Sequence, residues 1–227
     1  VTGAGVVVGM LDTGANFRHK DIVEKYKGRL ANGDFDHEYN WFDGVTRGSC
    51  KSAPCDQNGH GSHVMGTILG DSGIGVAPKA KWMTCRSFAT GSATITDIMN
   101  CLQWLLAPTK TDGSAPDSSK RASVVNHSWG AGSRIAQLEP AIDALHAAGS
   151  LQVFAAGNSG SRCSSLLYPG QYAKVLTVAA QGYQTSAAAS FSSRGPPREG
   201  SYVKPDRKSN AELSHRTISY AVFCLKK

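Results

Sequence analysis

Short unbroken apolar runs alternate along this chain with stretches in which apolar residues return every three or four positions. Val6-Val7-Val8-Gly9-Met10-Leu11 is the first run, ended by Asp12-Thr13-Gly14. A run with no polar alternation predicts a strand covered on both faces, as in a parallel sheet. Lys81–Phe88, Ser123–Asn126, Leu151–Ala156 and Lys174–Ala180 predict four further strands. Between them Ile95, Ile98, Met99, Leu102, Leu105 and Leu106 recur at helical spacing and stop before Pro108. Ile135, Leu138, Ile142 and Leu145 mark another helix, with Pro140 in its first turn or at a kink.

Strands alternating with helices predict an α/β fold, a three-layer sandwich with a mostly parallel sheet. Residues 15–57 are polar and aromatic, punctuated by Gly28, Gly33, Gly44 and Gly48, and read as a long surface excursion with one short strand. Residues 109–120 are rich in Ser, Asp, Pro and Gly and read as a loop. At 227 residues the chain is long enough for one domain with a sizeable core.

The segment Asn58-Gly59-His60-Gly61-Ser62-His63-Val64-Met65-Gly66-Thr67 breaks the usual helix rules. Each glycine costs about 1 kcal/mol against alanine inside a helix. The glycines make sense in a buried helix past which other backbone runs closely, with His60 at its entrance. Taken alone, His60 reads as a core histidine. A zinc-protease reading fails, because that pattern needs Glu directly after the first histidine and a second histidine four residues on. Here Gly61 follows and the spacing is three. Asp12 stands at the carboxyl end of a buried strand, where open α/β sheets place ligands and catalysts, though an isolated Asp-Thr-Gly reads first as a turn capping the strand end. Asn158, in Ala155-Ala156-Gly157-Asn158, reads by itself as a turn residue. Gly3-Ala4-Gly5 precedes its strand, so it is no dinucleotide fingerprint.

Charge narrows the choice of partners. Of the net +7, residues 200–227 hold +4, from Lys204, Arg207, Lys208, Arg216, Lys226 and Lys227 against Asp206 and Glu212. No basic stripe with interleaved aromatics appears elsewhere, so a nucleic-acid partner is not expected. No window approaches the ~18 apolar residues of a membrane span. No leader segment is read, since Val1 opens almost at once into a strand; the natural start is expected to lie elsewhere. Among six cysteines, Cys50 and Cys55 close a short polar loop that suits a disulfide in an oxidising compartment. Cys85 and Cys101 fall in apolar stretches and read as buried thiols.

Taken together, the motifs Asp12-Thr13-Gly14, His60–Thr67, Ser128-Trp129-Gly130 and Ala155–Asn158 resemble the subtilisin-like serine proteases in order and character. Gly75-Val76-Ala77-Pro78, Tyr168-Pro169 and Ser190-Phe191-Ser192-Ser193 are similar to that family too. The family runs Asp, His, Ser along its chain. The resemblance implies that Asp12 orients His60, that His60 is the general base, and that Asn158 donates to the oxyanion. It further implies that Ser128, Trp129 and Gly130 offer edge backbone to an extended polypeptide substrate. It implies a cis bond at Tyr168-Pro169, and secretion or another extracytoplasmic location.

The resemblance runs from residue 3 to about 206, leaving 207–227 as a non-matching basic tail, so that both ends look cut. The family carries its nucleophile in a Gly-Thr-Ser-Met-Ala-like motif, and none occurs here. Ser209, Ser214 and Ser219 lack the glycine turn and apolar helix that would aim a hydroxyl at His60. No nucleophile is therefore assigned. The chain is expected to be a subtilisin-like serine endopeptidase in incomplete form and inactive as written. The alternative is a non-catalytic homologue, a pseudoprotease binding extended peptides. Asp21 resembles a calcium-ligating aspartate of many members, but the following loop, Gly70-Asp71-Ser72-Gly73, is short. It offers few of the 6–8 oxygens calcium wants, so no metal site and no required cofactor are expected.

Overall fold

The computed structural model describes residues 2–182, 185 and 187–210. These form two compact units, one of residues 2–125 with 148–150 and one of 126–147 with 151–210.

In the first unit, strands β1 (Val7–Asp12), β2 (Trp41–Asp43) and β3 (Lys81–Arg86) lie parallel in the order β2-β3-β1. Val7 pairs with Lys81 and Asp12 with Arg86. β1 extends one residue beyond the expected run, so Asp12 closes the strand instead of following it. Met10 and Leu11 are fully buried, as an unbroken apolar run requires. Helix α1 spans His60–Leu69 and helix α2 spans Ile95–Leu106. α2 opens with a capping box in which Thr94 and Asp97 satisfy each other's backbone N–H. It packs on β1 so tightly at Gly9 that a Cβ there would lie 3.2 Å from Leu105, and 2.9 Å from Ala122 just ahead of the next strand. Strand β4 (Val124–His127) begins in this unit, Ser123 N–H donating to Val7 O at 3.1 Å.

Residues 15–57 are less superficial than their polarity suggests. Phe17, Ile22, Tyr26 and Trp41 are buried, and the Tyr26 ring packs 4.5 Å from Trp82. Trp82 Nε1 donates to Ile22 O at 2.8 Å. The aromatics of the excursion form a local core that has no period to reveal it. The cysteine reading also needs correction. Cys85 on β3 and Cys101 on α2 are joined in a disulfide, not left as thiols, because strand and helix face each other there. Cys50 and Cys55 form a second disulfide.

The second unit holds helix α3 (Leu138–Ala147) and strands β5 (Leu151–Ala155), β6 (Leu176–Gln181) and β7 (Arg207–Asn210). These strands are parallel in the order β5-β6-β7. Pro140 falls in the first turn of α3, where its missing N–H costs nothing. β7 lies within the basic tail of the sequence reading. It pairs Arg207–Asn210 with Val178–Gln181 through backbone bonds, which need no apolar side chains. The Tyr168-Pro169 peptide is cis, as the family resemblance implied.

Candidate active site

The first unit brings two of the candidate residues into contact. Asp12 is buried at the end of β1, and its backbone O accepts from Ser87 N (3.0 Å) and Phe88 N (3.3 Å). Its Oδ1 accepts from Thr13 N at 2.7 Å and lies 2.6 Å from His60 Nδ1. A carboxylate only accepts, so the proton sits on Nδ1 and Nε2 of His60 is left with its lone pair. That is the tautomer of a general base. Burial alone would lower the His60 pKa. The Asp12 hydrogen bond and charge, joined by the charge of Asp56, outweigh it and hold the pKa above the ordinary value.

His60 is placed by the way α1 begins. The N-cap position is Gly59, in the left-handed region at φ 92°, and it has no side chain with which to cap the helix. Asp56 does that work from three residues upstream. Its Oδ1 accepts from Gly59 N (2.8 Å) and Asn58 N (3.1 Å), and its Oδ2 from Ser62 N (2.8 Å) and Ser62 Oγ (2.6 Å). Gly61 explains one of the unusual helix glycines. Its N–H donates to Thr13 Oγ1 at 2.8 Å, and a Cβ there would lie 2.0 Å from Gly14 O. Sequence reasoning missed Asp56. The one signal was a carboxylate placed where a helix lacked a capping residue.

The other candidates belong to the second unit. Asn158 is exposed and follows Gly157, which takes φ 105°. Ser193, from the Ser-Phe-Ser-Ser segment, grips both sides of this turn. Its N–H donates to Gly157 O at 2.9 Å and its Oγ accepts from Ser159 N at 2.9 Å. The Asn158 side chain is thus presented on a braced turn. Ser128 is buried and its Oγ accepts from Asn126 Nδ2 at 2.9 Å. Trp129 is half-buried, Gly130 exposed, and the next residue, Ala131, exchanges backbone bonds with Tyr168. His127 stacks on Phe154 with ring centres 4.1 Å apart. Burial pushes its pKa down to about 4, against a smaller opposing contribution from the Gln152 hydrogen bond, so it stays neutral near pH 7.

The model of the subtilase family, peptidase S8, matches residues 3–213. The chain belongs to the subtilase family. Bacillopeptidase F of Bacillus subtilis (strain 168) is 33% identical over 206 residues, covering 86% of this chain and 14% of that protein. Subtilisin Savinase of Lederbergia lenta is 32% identical over 200 residues, covering 86% of this chain and 62% of that protein. The subtilase therefore spans less than two thirds of the length of these relatives. Among solved structures, the S41 psychrophilic protease superposes with a TM-score of 0.68 at 28% identity, over 92% of this chain and 66% of that one. A cold-adapted subtilisin-like serine proteinase superposes with a TM-score of 0.64 at 26% identity, over 92% of this chain and 64% of that one. The α/β, three-layer, parallel-sheet architecture is the one these structures share with it.

The residues around Asp21 do not fit a calcium ion. Its carboxylate is taken by the Lys20 ammonium at 2.8 and 2.9 Å. Asp71, in the short loop after α1, is paired at 2.5 Å with Lys25, whose side chain is only 8% exposed. Protein ammonium groups stand against both carboxylates, and among the described residues no three His, Cys, Asp or Glu gather as metal ligands.

Proposed function

We propose that this subtilase carries the base-and-orienter half of a serine endopeptidase site, acting on polypeptide bound in extended form. In this reading Asp12 holds His60 in its Nδ1–H tautomer and stabilises the imidazolium. His60 takes the proton of a serine hydroxyl and later gives it to the leaving amine. The side-chain amide of Asn158 donates to the oxyanion of the tetrahedral intermediate. Such a donor contributes ~10²–10³ in kcat, a figure measured in a subtilisin, not in this chain. Ser128, Trp129 and Gly130 supply backbone to which the substrate adds as a strand. No metal or other cofactor takes part. An extracytoplasmic location is supported by the two disulfides.

The observation that carries this reading is the 2.6 Å contact between His60 Nδ1 and buried Asp12. No Gly-Thr-Ser motif occurs among the 227 residues, so this reading assigns no nucleophile. The second reading is a non-catalytic member that binds extended peptides. The test joins the chain after Asn210 to the serine-bearing segment of a subtilase and follows hydrolysis of an extended peptide p-nitroanilide. Cleavage that falls ~10⁴-fold in Asp12→Asn supports the endopeptidase reading. Cleavage indifferent to both Asp12→Asn and His60→Ala overturns it. Peptide binding by the joined chain without cleavage favours the second reading.

A further inference from the structure

Asp56 does more than cap a helix. Its five hydrogen bonds fall on two sides. On one side are N–H groups at the start of α1, Gly59 at the N-cap and Ser62 in the first turn, with Asn58 just before them. On the other are two hydroxyls that reach the segment leaving β1. Thr13 Oγ1 donates to Asp56 Oδ1 at 2.9 Å while accepting from Gly61 N at 2.8 Å. Ser62 Oγ donates to Asp56 Oδ2 at 2.6 Å while accepting from Asn16 N at 2.8 Å. Gly14 and Asp56 also form an isolated antiparallel bridge. The residues directly after Asp12 and those on either side of His60 are therefore tied to one carboxylate.

We propose that Asp56 is a positioning residue for the Asp12–His60 pair, its carboxylate fixing the start of α1 against the end of β1. This rests on the reading of that pair as the catalytic one. The two residues are 48 apart in sequence and sit on different elements, so their 2.6 Å contact holds only if the elements hold. Asp12 Oδ1 and Thr13 Oγ1 accept from His60 Nδ1 and Gly61 N respectively, so adjacent residues of one segment grip adjacent residues of the other. Asp56 locks the second of these grips from behind. The charged groups that bear on His60 are Asp12 and Asp56, with His63 one turn along the helix.

The experiment is NMR of the histidine-labelled chain of residues 1–227, with His60→Gln used to assign the His60 signals. The intact chain should show a His60 Nδ1–H resonance far downfield and slow to exchange, and Asp12→Asn should abolish it. If the intact chain lacks that resonance, the reading of the pair fails and this proposal with it. With the resonance present, Asp56→Asn sets an amide nitrogen against N–H and O–H donors. It should move the signal upfield or lose it to exchange, and should lower the His60 titration midpoint. Thr13→Val keeps every charge but cuts one grip. It should shift the resonance in the same direction, and Thr13→Ser should restore it. This second pair decides the matter if Asp56→Asn does not fold. In the serine-bearing chain, loss of position predicts a fall of ~10² in kcat with KM little changed. An unchanged His60 resonance and midpoint in a folded Asp56→Asn, or in Thr13→Val, overturns the proposal and leaves Asp56 a helix cap.

Discussion

The two glycines inside α1 make opposite predictions for the same substitution. Gly61→Ala and Gly66→Ala each remove a residue that costs a helix about 1 kcal/mol against alanine, so both gain that much in propensity. The surroundings then decide the sign. At Gly66 a Cβ meets nothing within 4 Å. At Gly61 it would lie 2.0 Å from the carbonyl oxygen of Gly14, which is 1.4 Å inside the 3.4 Å at which ordinary contact begins. That oxygen is backbone and has no rotamer to escape into. Either the segment after β1 or the first turn of α1 must retreat by more than 1 Å. Overpacking of this kind costs about 1–3 kcal/mol, occasionally more, and here the upper figure applies because backbone meets backbone. After the propensity gain, Gly61→Ala should lose about 2 kcal/mol and Gly66→Ala should gain up to about 1 kcal/mol. For a chain of this length a kcal/mol moves Tm by about 2–4 °C, giving a fall of ~4–8 °C against a rise of ~2–4 °C. Thermal unfolding of the two variants beside the parent chain measures this. The retreat at Gly61 must also lengthen the His60–Asp12 contact, because Asp12 Oδ1 is itself only 3.1 Å from the added carbon. A Gly61→Ala protein as stable as its parent, or a destabilised Gly66→Ala, would refute the reasoning.

Four further outcomes follow from individual contacts. Burial would raise the Asp56 pKa, but the bonds from Ser62, Gly59 and Thr13 outweigh it and hold it below the usual carboxylate value. Its stabilising contribution is thus present above about pH 4 and lost as pH falls through the lower folded value, so Asp56→Asn should flatten the acid limb of a stability–pH curve. His60 works the other way. Its raised pKa gives stability that is full below about pH 6.5 and lost as pH rises through the folded value, so His60→Gln should remove a decline on the neutral-to-alkaline side. The Cys85–Cys101 disulfide, with a sequence separation of 16, should contribute about 3 kcal/mol by loop closure, and Cys50–Cys55, with a separation of 5, about 2 kcal/mol, so denaturant titration of Cys101→Ser should show the larger loss. In the loop after α1, a calcium chelator should leave Tm unchanged. Asp71→Asn, which strands the buried Lys25 ammonium, should cost more than Lys25→Met, which leaves only a half-exposed carboxylate.

The sequence showed Asp12 and His60 because each broke a pattern. One was a charge ending a run of buried residues; the other was a histidine on glycines that no exposed helix would choose. It showed the alternation of strands and helices for the same reason, since burial on both faces leaves an unbroken apolar run. Asp56 broke nothing. In Cys55-Asp56-Gln57-Asn58-Gly59 it reads as one more turn residue, and its importance lies in two hydroxyls, of which Thr13 is 43 positions away. The Cys85–Cys101 bond was hidden likewise, because a strand and a helix 16 residues apart show their common face only when packed. Phe17, Tyr26 and Trp41 were misread because an irregular segment can bury aromatics without any period. β7 escaped because strand pairing runs through the backbone, so Arg207-Lys208-Ser209-Asn210 needs no apolar pattern to join the sheet.

The strongest expectation for the chain itself is that residues 1–227 do not cleave peptide bonds. His60 holds the tautomer that a base needs, but a base also needs a hydroxyl within about 3 Å to deprotonate. The family presents that hydroxyl from a glycine turn opening an apolar helix, and no Gly-Thr-Ser motif occurs anywhere in the sequence. Ser209 lies on β7, an extended strand whose backbone is committed to β6, which is not the geometry of a nucleophile at a helix start. Ser214 and Ser219 lie outside the described residues, and their neighbours Leu213, His215, Ile218 and Tyr220 supply no glycine turn. Removing the serine from a subtilisin costs ~2 × 10⁶ in kcat, and His60 would retain only water to activate. A fluorophosphonate probe reports the pairing of serine and base directly, because it labels only an activated hydroxyl. It should leave residues 1–227 unlabelled while labelling the serine-bearing chain in a manner that requires both His60 and Asp12. Stoichiometric labelling of the 227-residue chain at Ser209, Ser214 or Ser219 would mean that this subtilase reaches His60 from a position the family does not use.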